Sequence, residues 1–107
     1  MATEKTVVKA LVSNILLAGY SISVNDGEDW VVRRSTDKKL IIGSLFSTDE
    51  DYLMIFDPRV LNATDKTRTV GSFHLVYGNS ADEVIADYTD NAETERLYLT
   101  VAPITSA

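Results

Sequence analysis

The stretch Val70–Asn91, VGSFHLVYGNSADEVIADYTDN, decides how this chain is read. Val70, Phe73, Leu75, Val76 and Tyr77 mark a buried strand, Gly78-Asn79 breaks it, and Ser80 with Glu83 three positions on makes a capping box. In that motif each side chain accepts the other residue's backbone N–H, so the pair opens a helix. The tract therefore predicts a strand over Thr69–Tyr77 and a capped helix from Ala81 to about Tyr88. Along the strand Phe73, Leu75 and Tyr77 alternate with Ser72, His74 and Val76, so a core behind the first set leaves His74 facing solvent or a partner.

Working outward, Val7, Val8, Leu11, Val12, Ile15 and Leu16 recur at helical spacing behind Thr3 as N-cap, and Gly19 sits where a left-handed residue ends the helix. Tyr20, Ile22 and Val24 alternate with Ser21 and Ser23 as a half-buried strand. Asn25-Asp26-Gly27-Glu28 turns the chain and Trp30–Arg34 forms the second arm of a hairpin. On that arm Trp30, Val32 and Arg34 fall on one face, Val31 and Arg33 on the other. Ser35-Thr36-Asp37 caps a short helix that carries Leu40, Ile41 and Leu45 inward, although Leu40-Ile41-Ile42 also fits a buried strand; helix is the preferred reading over 40–46. Tyr52–Phe56 is a third strand that Asp57-Pro58 ends through the missing proline donor. Residues 59–69 are a long polar connection. Asp90 with Glu93 repeats an N-terminal cap pattern, after which Arg96, Leu97, Leu99 and Val101 fit either a helix or a short strand; residues 103–107 are expected to fray.

These elements predict a single α+β domain over 1–107: an N-terminal helix packed on a four-stranded, mainly antiparallel sheet, with short helices after strands two and four. A chain of 107 residues buries roughly 65% of its unfolded surface and holds a core without staples. At 45% hydrophobic and 24% charged residues the composition is that of a globular domain. There is no cysteine, hence no disulfide framework and no thiolate chemistry, which fits a reducing cytoplasm. Ser13 and Asn14 interrupt the apolar N-terminal run, which is read as neither signal peptide nor membrane span. The net charge of −6 argues against general attraction to nucleic acid. Nearly all of it sits in residues 82–96, where Asp82, Glu83, Asp87, Asp90, Glu93 and Glu95 face Arg96 alone.

Candidate chemistry is sparse. The single histidine, His74, has no nucleophile at a spacing that suggests a triad. Asp49-Glu50-Asp51 and Asp26 with Glu28 and Asp29 lack the ligand order of a calcium loop, and no phosphate-binding glycine motif occurs. No catalytic residue, metal site or cofactor is assigned. The residues whose types the fold alone does not demand are Asp87, Asp90, Glu93 and His74, with Trp30, Arg33 and Arg34 on the hairpin. These are the candidate partner-binding residues. Arg33, Arg34, Lys38 and Lys39 beside Trp30 also form a basic group of the kind that stacks and pairs with single strands, a reading the overall charge weighs against.

Gly19–Val24 with Asp26–Trp30, then Arg34-Ser35-Thr36, Ser47–Asp51, Val76–Asn79 and Asp87–Asn91, resemble a group of small uncharacterised proteins of tailed phages and prophages over about residues 7–93. The resemblance implies a phage or prophage setting in the cytoplasm of a bacterial host and an accessory or host-modulating role, without an activity. The expectation is a small non-enzymatic protein that binds a protein partner and forms a homodimer. The alternatives are an acidic inhibitor of a host nucleic-acid-handling or defence enzyme, acting through Asp87, Asp90 and Glu93, and a small metal-dependent hydrolase.

Overall fold

The computed structural model describes residues 3–61 and 67–105. Its elements are α1 (Glu4–Leu17), β1 (Ser21–Asn25), β2 (Trp30–Ser35), α2 (Lys38–Ser44), β3 (Glu50–Leu61), β4 (Thr67–Val76), β5 (Ile85–Tyr88) and α3 (Ala92–Thr105). The strands make one antiparallel sheet in the order β2-β1-β3-β4-β5, and the helices gather on one of its faces. The α+β class is as the sequence predicts, with five strands where four were expected.

Physical chemistry explains the core directly. Thr3 accepts the Thr6 N–H to start α1, and Gly19 follows its end at φ 91°, a conformation that side chains resist. Between those points Val7, Val8, Leu11, Val12 and Ile15 present one fully buried stripe. It packs on Ile22, Val24, Leu53, Ile55, Phe73 and Leu75, the inward residues of β1, β3 and β4, with Ile41 from α2 and Leu97 and Val101 from α3 closing the rim. Each such side chain contributes about 1.5–3 kcal/mol on burial. Asn14 Nδ2 donates to Thr100 Oγ1 at 2.9 Å, holding α1 beside α3.

The segment after β2 is a helix: Asp37 Oδ1 accepts the Leu40 N–H at 3.2 Å and α2 runs from Lys38. Ile41 and Leu45 point inward as expected, but Leu40 does not, being 54% exposed.

Four further expectations are corrected. The helix expected over 81–88 is a turn followed by β5. Ser80 Oγ donates to Asp82, and its carbonyl accepts the Glu83 N–H, so no capping box forms. The Val76 N–H goes to the Val84 carbonyl at 2.9 Å and Ile85–Tyr88 pairs with β4. Eight residues make a marginal helix, and the β-branched pair Val84-Ile85 gains more by burying Val84 and completing the free edge of β4. On β2, two register shifts against β1 break the alternation, so Val32 faces the core while Trp30 and Arg34 face away from it. Pro58 does not end β3; it lies where the register slips between Asp57 and Leu61, so its missing N–H leaves no gap in the ladder. The last segment is the helix α3, and its cap is Asn91, not Asp90: Asn91 Oδ1 accepts the Thr94 N–H at 2.9 Å while its Nδ2 donates to the Val70 carbonyl. Of the long connection expected over 59–69, residues 59–61 and 67–69 are strand and the rest lies outside the described residues.

Candidate functional site

The three helices cover one face of the sheet, and no described element covers the other. Its residues follow from the pleat: β3 sends Leu53 and Ile55 into the core and Tyr52, Met54 and Phe56 outward, and β4 sends Phe73 and Leu75 inward and Ser72 and His74 outward. Register then aligns one residue from every strand. Trp30 pairs with Asn25, Asn25 with Tyr52, Tyr52 with His74 and His74 with Asp87, a single row about 19 Å long across the five strands. A parallel row places Ser23, Met54 and Ser72 side by side, and beyond it Phe56 lies opposite Ser21.

At the centre of the first row the rings of Tyr52 and His74 stack with centroids 4.3 Å apart and planes within 3°. Both reach the same carboxylate: His74 Nε2 is 3.2 Å from one Glu50 oxygen and the Tyr52 hydroxyl donates to the other at 3.3 Å. Burial and the neighbouring Glu50 charge raise the Tyr52 pKa above its ordinary value, keeping the phenol a donor. These rings form the wall of a shallow depression of about 250 Å³, shared with Ser72, Asp87 and Thr89. Toward β2 the face changes character. The Arg34 guanidinium lies over the Phe56 ring at 4.7 Å, and Trp30, Arg33, Arg34, Phe56 and Ser23 enclose a hollow of about 410 Å³. Arg34 adopts φ 47°, and its N–H donates to Ser23 Oγ at 2.7 Å; the bulge that forces this left-handed backbone also swings the side chain outward.

Five of the seven residues singled out from sequence thus meet on this face or at its edge: Trp30, Arg33 and Arg34 at the β2 side, His74 at the centre and Asp87 at the β5 side. Asp90 is exposed in the turn before α3. Glu93 is engaged elsewhere: it accepts the Tyr20 hydroxyl at 2.6 Å, a bond that raises the Tyr20 pKa, and it also bonds Arg96. Asp87, Asp90 and Glu93 therefore occupy a strand, a turn and a helix and do not form one acidic helical face. Sequence reasoning missed Glu50, Tyr52, Met54 and Phe56. The signal was present: β3 is apolar on both faces, which a one-sided strand has no reason to be.

Among the described residues no hydroxyl bonds to His74, and no three His, Asp or Glu side chains converge as metal ligands. No described helix is long and apolar enough to cross a membrane. No family model, no curated protein and no solved structure matches the chain, so its function is argued from this geometry.

Proposed function

We propose that this chain acts by binding, not by catalysis, and that the uncovered sheet face is its contact surface for a protein partner in a phage or prophage setting. The observation that carries this reading is the row Trp30–Asn25–Tyr52–His74–Asp87, which continues across all five strands with aromatic rings at its edge and centre. Rigid aromatic side chains flanked by arginine are the groups that dominate protein interfaces, because they bury much area while losing little conformational entropy. Arg33 and Arg34 on one margin set the partner's chemistry: an apolar centre with acidic residues that meet the two guanidinium groups.

The test compares immobilised wild-type protein with Trp30→Ala and Arg34→Glu in host lysate. Both positions are exposed, so Tm should move by no more than about 4 °C. A partner retained by the wild type and reduced at least tenfold by each substitution is the expected outcome. Equal recovery by all three proteins overturns the reading.

A further inference from the structure

A second surface, on the opposite side of the molecule, stands independently of the sheet face. Lys9, Ser13, Leu16 and Leu17 occur at i, i+4, i+7 and i+8 along α1, so they form one stripe. Lys38, Lys39, Ile42 and Gly43 face it from α2, because 38 with 42 and 39 with 43 are each one turn apart. Between the helices lie two shallow concavities of about 360 and 520 Å³, one on each side of Lys38. The groove is apolar at its floor and basic at its rim. Leu17 is 83% exposed at one end, Leu40 is 54% exposed on α2, and a Cβ at Gly43 would meet nothing within 4 Å. Among the described residues Lys9, Lys38 and Lys39 form no ion pair, and no carboxylate lines the groove.

An acidic chain whose described residues leave three lysines unpaired around exposed leucines has a surface complementary to something those residues do not supply. We propose that the groove between α1 and α2 docks an acidic amphipathic helix of a partner protein. The occupant's apolar side meets Leu16, Leu17 and Ile42, and glutamates or aspartates on its flanks meet Lys9, Lys38 and Lys39. From Lys9 to Leu17 the stripe is about 12 Å long, matching two turns of a docked helix. A concave slot between two helices suits a rod, whereas a lipid surface requires a convex apolar face.

Fluorescence anisotropy provides the test, with a labelled model peptide carrying leucines at i, i+3, i+4 and i+7 and glutamates on the flanks, and a counterpart with lysine in place of glutamate. The glutamate peptide should bind saturably to the whole chain and weaken as salt rises. It should lose at least tenfold in affinity to the double variant Lys38→Glu, Lys39→Glu, and likewise to Leu17→Ser; all three positions are exposed, and circular dichroism checks that each variant is folded. Trp30→Ala should leave this binding unchanged, which separates the groove from the sheet face. No saturable binding, or equal binding of the two peptides, overturns the proposal. So does concentration-dependent self-association that the groove variants abolish, since a second copy would then be the occupant. Binding of the wild type to vesicles of anionic phospholipid with the same dependence on Lys38, Lys39 and Leu17 overturns it in favour of a membrane surface.

Discussion

Asp51 is the least comfortable residue in the core. It is fully buried, with Oδ2 accepting the Phe46 N–H at 3.0 Å and the Tyr77 hydroxyl at 2.5 Å, while Oδ1 has no hydrogen-bond partner among the described residues. Burial pushes its pKa above the ordinary 3.8, the two donors only partly opposing that shift, and the same bond helps hold the Tyr77 phenol protonated. Because the folded carboxyl keeps its proton to higher pH than the unfolded one, its contribution favours folding fully below about pH 3.8. That contribution is lost as pH rises through the folded value. The stability of the wild type minus that of Asp51→Asn, from urea denaturation, should therefore decline from pH 4 upward and then level off; a flat difference refutes the assignment. Nothing in Asp49-Glu50-Asp51 announces this. The run looks like a solvated turn, and only the strand pairing reveals that Asp51 shares the core face with Leu53. Arg34 and Phe46 were equally hidden, since their left-handed backbones, φ 47° and 67°, occur without the glycine or asparagine that usually signals them.

At the scale of elements, the close seat of α3 on β4 depends on an absent side chain. A Cβ at Gly71 would come within 2.6 Å of Thr94 Cγ2 and 3.1 Å of Thr89 Cβ. Thr94 is fully buried and its hydroxyl donates to the Thr89 carbonyl, so it has no room to withdraw. Gly71→Ala should destabilise the fold by about 1–3 kcal/mol through overpacking, read from the urea midpoint; an unchanged midpoint would mean that α3 shifts freely. Elements whose periodicity decides them were legible: α1 with its Thr3 cap, the β1–β2 hairpin, α2 behind Asp37, and the core side of β4. Those settled by long-range pairing were not. Ile85–Tyr88 carries good helix-start chemistry upstream and becomes a strand because β4 offers it an edge, and β3 passes Pro58 because a register slip removes the need for its N–H. The candidate site was half legible for the same reason: Trp30, Arg34, His74 and Asp87 stand out as types, but only register puts Trp30, His74 and Asp87 in one row with Tyr52 and leaves Arg34 beside that row, over Phe56.

Over the whole molecule charge is grouped: lysines around the α1–α2 groove, arginines and rings on the β2 half of the sheet face, and acids both toward β5 and α3 and at the β1–β2 turn, where Asp26, Glu28, Asp49 and Glu50 line one hollow. Trp30 is the single tryptophan, 40% exposed, and lies on the proposed contact face, so its emission reports occupancy directly. Addition of a partner that covers the face should move that emission to the blue, and Asp87→Ala, at the far end of the row, should leave the unbound spectrum unaltered. An unshifted spectrum on saturation would place the partner elsewhere. The strand order carries a consequence for the birth of the protein. Because β1 lies between β2 and β3, and β3, β4 and β5 then add in succession at one growing edge, every new strand finds its neighbour already made. A chain emerging from the ribosome can thus assemble its sheet strand by strand, and α3, which follows β5, arrives once the sheet is made and closes the core over it.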